Sequence, residues 1–284
     1  MHPTPHHRHS LRPAARRLLA FTLAACAAAG GVSFLLSRHA AVPSASAASA
    51  SSTAAETAPA SGAASAVEEE PGLLSAQQAQ AMLDDPRMVL VNHTNKMPED
   101  YTFTTRECGS ATAVNKTLQT EAADAFLAMQ AAAAKDGVTI WMQSGYRSVS
   151  YQTNLYEKKT NYYKQQGYDD AKAKEMAAAI VNPPGCSEHN CGLAADLNSP
   201  EHTTLDTGFA DTAAFRWLCE NAEQYGFILR YPKEAESVTG ITYEPWHWRY
   251  VGPENAALLN QSGLCLEDAI AVLQRIAAGE TVTG

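Results

Sequence analysis

Four side chains in two short stretches carry the chemistry that this sequence offers. Cys186-Ser187-Glu188-His189-Asn190-Cys191-Gly192-Leu193-Ala194-Ala195-Asp196 supplies a histidine and an aspartate, and Glu244-Pro245-Trp246-His247 adds a second histidine. Two imidazoles and a carboxylate make three protein ligands for one cation. Three ligands leave the fourth position of a tetrahedral zinc site open for water. Glu244, just before the last ligand, would stand over that water as a base. The set implies a zinc-dependent hydrolase with one zinc per chain, held by His189, Asp196 and His247.

Taken singly, each residue has a plainer use. A loop histidine is usually a polar residue with a partner, and Asp196 alone reads as a strand-end turn residue. It is the combination that carries meaning. Gly192 allows backbone geometry that other residues resist, so the chain can turn between His189 and Asp196, and the small Ala194 and Ala195 allow a strand to pack closely there. Pro245 rules out a helix through the second pair. On a strand, residues three apart face opposite sides, so a bend at Pro245 must bring Glu244 and His247 to one centre. Trp248 then belongs to the core. Arg147, in a Ser144-Gly145-Tyr146-Arg147 turn, could hold an oxyanion or grip a carboxylate bidentately. Gln152, Ser187 and Tyr250 are candidate substrate donors or acceptors. The tyrosines at 151, 156, 162 and 163 read as helix packing or surface.

The elements that must position these residues follow from periodicity. Helical spacing marks Ser75–Leu83, 113–134, Val149–Gln165, 169–181, Thr212–Tyr225 and Leu266–Ala277. Phe126 and Met129 lie on the buried stripe of the second. Strands are expected at Met88–Asn92, Val138–Met142, Leu193–Leu197, Phe227–Tyr231 and Trp246–Val251. The elements do not alternate regularly and no repeat is visible. That favours α+β with a small antiparallel sheet flanked by helices over a doubly wound parallel one.

Charge narrows the partners. The chain has 30 acidic and 21 basic side chains, and the first 39 residues hold five arginines and no acid, so the acidic excess lies wholly beyond them. An acidic globular part excludes nucleic acid, which needs a basic face. Arg16 and Arg17 precede an uncharged apolar run, Leu18–Leu36, long enough to cross a bilayer. Residues 1–39 therefore read as a cytoplasmic N-terminus and uncleaved signal-anchor, with a lipid on Cys26 or cleavage near Ala45–Ala50 as the alternatives. Histidines 2, 6, 7 and 9 read as a solvated tail. Residues 40–67, dominated by Ala, Ser, Thr and Pro, read as a disordered spacer, and residues 68–284 as one catalytic domain on the extracytoplasmic side. Six cysteines are present, five of them beyond Cys26, so at least one has no partner within the chain. Cys186 and Cys191 flank His189 closely enough for a disulfide clamp in an oxidising compartment, or stand as two free thiols.

These blocks resemble a known family. Ser187-x-His189-x-x-Gly192-x-Ala194-x-Asp196 with Glu244-x-x-His247 is similar to the pattern of the bacterial zinc D-alanyl-D-alanine carboxypeptidases of the VanY type, grouped with the LD-carboxypeptidases and the Hedgehog signalling domain. Ser144-Gly145-Tyr146-Arg147-Ser148 with Gln152, the block from Tyr225 to Pro232, and that from Glu244 to Tyr250 match as well. The likeness spans roughly residues 88–270. It implies zinc on His189, Asp196 and His247, Glu244 as base, Arg147 polarising the scissile carbonyl, and Gln152, Ser187 and Trp246 along the substrate site. The implied fold is the Hedgehog/DD-peptidase-like antiparallel sheet flanked by helices. The implied reaction removes the C-terminal D-alanine of peptidoglycan stem peptides. LD-carboxypeptidase action on tetrapeptide stems and a non-catalytic zinc-binding wall module are the alternatives, though Glu244 and Arg147 count against the second.

Overall fold

Ala194-Ala195-Asp196-Leu197-Asn198 opens on two small apolar residues and then alternates polar with apolar, and in the structure it is a strand buried along its whole length, β4 (Ala194–Asn198). The protein is described here by a computed structural model covering residues 74–280 and Val282. The expected signal-anchor, the spacer and the start of the domain at residue 68 lie outside the described residues. β4 is central in a four-stranded antiparallel sheet with β3 (Trp141–Ser144), β5 (Phe227–Leu229) and β6 (His247–Tyr250), in the order β3-β4-β6-β5. A separate hairpin pairs β1 (Thr105–Glu107) with β2 (Thr117–Gln119).

The helices are α1 (Ala76–Leu83), α2 (Thr120–Lys135), α3 (Val149–Gln165), α4 (Asp170–Ala178), α5 (Ala213–Asn221), α6 (Pro253–Ser262) and α7 (Leu266–Ala277), with a shorter turn at Glu236–Thr239. Side-chain caps set several starts. Ser75 and Gln78 form a capping box, Ser148 accepts from the backbone of Tyr151, and Thr212 accepts from that of Phe215. The main core packs Phe126 and Met129 of α2 with Met142, Leu197, Phe227, Trp248 and Tyr250 of the sheet. A second core joins α1, α6 and α7 to Ile228 on the reverse of β5. No single helix among the described residues is long and apolar enough to cross a membrane.

The mixed α+β architecture with a small antiparallel sheet is as expected, and the spans of α3 and α7 coincide with those read from periodicity. Elsewhere the structure corrects the expectation. The helix expected from 113 begins at Thr120, because Thr117–Gln119 is drawn into the hairpin and the Thr117 and Asn115 carbonyls accept from Tyr146 and Gly145. The strand expected at 138–142 is displaced to Trp141–Ser144. Met88–Asn92 is no strand. A 3-10 turn at Pro86–Met88 leads into an extended stretch, and Arg249 donates to the carbonyls of Arg87 and Val89 at 2.8 and 2.9 Å. α6, opened by Pro253 at its first turn, has no counterpart among the expected helices.

Candidate metal centre

Register brings the candidate ligands together. Asp196 of β4 lies directly opposite His247 of β6 and also pairs with Ser144 of β3. Directly opposed residues share a face, so Asp196 and His247 project to the same side while Ala195 and Trp248 project into the core. His189 comes from the 3-10 turn Glu188–Cys191 before β4. That turn ends at Gly192 in the left-handed region, at φ 69°, where an added Cβ would stand 2.9 Å from the Phe103 ring. The His189 ring is set by the Gly145 carbonyl, 2.7 Å from Nδ1, which turns Nε2 toward Asp196. Gly145 is itself fixed in kind, because a Cβ there would meet the Thr117 carbonyl oxygen at 2.2 Å.

The donor set fits a cation. His189 Nε2 and His247 Nδ1 each lie 3.3 Å from Asp196 Oδ1. Ligands about 2.1 Å from a tetrahedral zinc stand about 3.4 Å apart. One ligand atom from each residue lies within 4.8 Å of the others, and all three residues are buried. Asp196 Oδ1 has no hydrogen-bond partner, a costly state for a buried carboxylate oxygen unless a cation completes it. The expected bend at Pro245 is present. The His247 backbone N–H donates to the Glu244 carbonyl at 3.1 Å, and Glu244 Oε2 stands 3.6 Å from His247 Nδ1.

Burial and charge set the protonation states. Burial pushes the Glu244 carboxyl up to about 8, against the pull of His247. Burial and the Arg147 guanidinium bring His189 down to about 4. For His247 burial also works downward, but the Asp196 and Glu188 carboxylates beside it raise it to about 9. Burial disfavours the charged form of Asp196, yet His189 and Arg147 hold it well below the usual range. With protons alone, His247 holds an extra proton and Glu244 is held largely protonated at neutral pH. A divalent cation among the same atoms would displace the proton on the ligating nitrogen of His247 and lower Glu244.

A cavity of about 230 Å³ opens on this cluster, lined by Arg147, Gln152, Ser187, Trp246, Glu244 and the three candidate ligands. Arg147 donates to Ser144 Oγ at 3.0 Å and pairs with Asp196 Oδ2. Gln152 Nε2 donates to the Asn182 carbonyl at 2.8 Å, which leaves its buried Oε1 without a partner. Tyr250 is a correction. Its side chain lies on the core face of β6 against Phe227 and donates to Glu121 Oε1 at 2.7 Å, away from the cavity. The clamp weighed for Cys186 and Cys191 is absent, as both are free and buried and Cys191 Sγ donates to the Glu188 carbonyl.

Two features of the site have no counterpart among the expected site residues. Tyr231 lines the cavity with its ring 4.8 Å from that of His247 and its buried hydroxyl unpartnered. Its one sign in the sequence is membership of the Tyr225–Pro232 block. Glu188 is wholly buried behind the ligands. Its Oε1 accepts from Arg230 Nε and Arg249 Nη1, each at 2.7 Å, and its Oε2 faces His247 Nε2 at 3.5 Å. Burial opposes its charge, but the two guanidinia hold its pKa far below the usual range. The acid beside His189 and the arginines in two distant blocks were each legible, but not their meeting.

Comparison with known proteins agrees with this geometry. Residues 115–253 match the family described as VanY, D-alanyl-D-alanine carboxypeptidase. A D-alanyl-D-alanine carboxypeptidase of Enterococcus faecalis is 36% identical over 200 residues, covering 70% of this chain and 71% of that protein. The chain belongs to the VanY family. Among solved structures, the vancomycin resistance D,D-pentapeptidase VanY of a VanB-type cassette, an E175A variant in complex with Zn(II), superposes with a TM-score of 0.57 at 35% identity, over 65% of this chain and 99% of that one. The LD-carboxypeptidase LdcB superposes with a TM-score of 0.56 at 34% identity, over 69% and 88%. This VanY-family chain therefore resembles enzymes named for both DD and LD cleavage.

Proposed function

We propose that this protein is a zinc-dependent D-alanyl-D-alanine carboxypeptidase that releases the C-terminal D-alanine of peptidoglycan stem peptides. The observation that carries it is the convergence of His189, Asp196 and His247 on one point, with Glu244 and Arg147 beside them at the head of a cavity. His189, Asp196 and His247 would hold one zinc per chain. Lewis acidity, enough in zinc enzymes to bring the pKa of water to about 7, is what the zinc supplies when bound. Glu244 takes the proton of the attacking water and returns it to the departing amine. Arg147 offers its guanidinium to the charge that develops on the carbonyl oxygen. Gln152, Ser187 and Trp246 line the walls where the peptide would lie. Leu205 and Ile180, both partly exposed, give the same cavity an apolar side for an alanine methyl.

The likeness to LdcB favours a second reading, LD cleavage of tetrapeptide stems. The zinc-loaded full chain incubated with pentapeptide and tetrapeptide stems, and the products weighed, separates the two. Loss of one D-alanine from the pentapeptide alone is the expected result. Release from the tetrapeptide alone selects the second reading, and release from neither, with zinc bound, overturns both. We further propose that the run Leu18–Leu36 tethers the enzyme to the cell membrane, with the domain on the extracytoplasmic side where the wall is found. Its support is the charge-free length of that run and the arginines before it.

A further inference from the structure

Glu188 sits where a substrate cannot reach it and yet ends on a metal ligand. Its side chain is fully buried, as are those of Arg230 and Arg249. Both guanidinia converge on one oxygen, Oε1, at 2.7 Å. Each is held in turn from behind. Arg230 is clamped bidentately by Glu267 of α7 at 2.8 and 2.6 Å, and Arg249 donates to the carbonyls of Arg87, Val89 and Tyr250. A carboxylate so gripped has no rotational freedom left, and its second oxygen is aimed by the first.

That second oxygen faces His247. Glu188 Oε2 and His247 Nε2 are 3.5 Å apart, both buried, and neither has a hydrogen-bond partner. A donor on one and an acceptor on the other, so placed, need only a small shift to bond. An imidazole bound to a metal through one nitrogen carries its proton on the other, and a carboxylate on that proton fixes the ring and raises the basicity of the ligating nitrogen. The opposite nitrogen of His247, Nδ1, is the one that faces Asp196 and Glu244.

We propose that Glu188 is the positioning residue for the metal centre: locked through Oε1 by Arg230 and Arg249, it holds the Nε2 proton of His247 on Oε2 and so presents Nδ1 to the cation. It acts through His247 and touches neither substrate nor metal. The two sides of the site are then oriented differently, His189 by the neutral Gly145 carbonyl and His247 by a charge. The inference rests on the zinc reading above.

The test compares Glu188→Gln with Glu267→Gln. A glutamine has one oxygen for two claims. The guanidinia take it, and the amide N–H groups then face the His247 N–H, donor against donor. Zinc affinity, measured by competition with a chromogenic chelator, should fall about 10–100-fold in Glu188→Gln. Glu267→Gln loosens the same arginine from the far side and should lower the melting temperature while leaving zinc affinity within about threefold of wild type, well short of the effect of a lost outer-shell partner. Equal weakening by both variants, or none in Glu188→Gln, overturns the proposal. Should Glu188→Gln not fold, the zinc-loaded wild type still decides. Its His247 ring proton should appear in NMR far downfield and exchange slowly with solvent. A fast-exchanging proton at that nitrogen overturns the proposal. A wild type that binds no zinc at all ends the metal reading, and this one with it.

Discussion

The two faces of one sheet are built to opposite rules. On the inner face, Leu197, Trp248, Tyr250 and Phe227 pack against Phe126 and Met129, and the polar tips find partners, as Trp248 Nε1 does in the Pro245 carbonyl and Tyr250 in Glu121. On the outer face the same strands, one residue out of phase, present Asp196, His247 and Arg249. There Asp196 Oδ1, His247 Nε2 and Glu188 Oε2 lack hydrogen-bond partners. Buried polar atoms are normally satisfied. A face that gathers several unsatisfied ones beside a cavity is kept for something other than holding the fold. The difference teaches that within one strand, stability and chemistry can be assigned to alternate residues.

Substitutions can break that division, beginning with the largest effect. His247→Ala should lose zinc and turnover together, whereas Glu244→Ala should keep stoichiometric zinc and lose turnover by about 10²–10⁴-fold, the usual worth of a positioned base. Metal analysis alongside D-alanine release separates them, and an active Glu244→Ala enzyme ends the mechanism. Arg147→Lys keeps the charge but not the planar fork, and should lower kcat about 10²–10³-fold with the fold intact by circular dichroism. On the inner face, Trp248→Ala should cost about 3–5 kcal/mol of stability in denaturant melts. A comparable loss from Arg147→Lys, whose side chain pairs with Asp196 on the outer face, would contradict the division.

A smaller effect concerns pH. Without a cation, His247 is raised to about 9 from 6.5, so its contribution is full below 6.5 and lost as pH rises through 9. Glu244, raised to about 8 from 4.5, likewise withdraws stability as pH climbs through 8. Zinc needs the deprotonated ligands, and its hold grows over that interval. The gap in Tm between zinc-loaded and chelator-treated protein should therefore widen from pH 6.5 to pH 9, and a narrowing gap would refute the assignment. The smallest effect is that of Tyr250→Phe. It removes one hydrogen bond on the inner face and should cost about 1 kcal/mol with kcat unchanged. A fall in kcat would return Tyr250 to the substrate site.

Much of this was legible in the sequence because the ligands lie in short, fixed-spacing blocks and the long helices carry their own period. Val149–Gln165 and Leu266–Ala277 needed no tertiary information. Met88–Asn92 misled because its apolar run suits a strand, while its carbonyls are taken by the side chain of Arg249, far along the chain. The start of α2 misled because hairpin pairing of Thr117–Gln119 outweighs local helical spacing. Tyr250 misled because its hydroxyl suggested a substrate contact, although its phase, two residues from Trp248 on β6, puts it on the core face. Glu188 shows the general limit, since its meaning depends on Arg230, Arg249 and His247 meeting in space.

The strand order has a further effect, on the timing of assembly. β5 precedes β6 in the chain but lies outside it in the sheet, so β4 and β6 become neighbours only after the intervening segment has folded back. Closing a loop of about fifty residues is slow and entropically unfavourable. An ion gripped from both strands would be captured late in folding and would then act as a removable cross-link across that loop. Uptake of zinc would thus report when the centre of the sheet has closed.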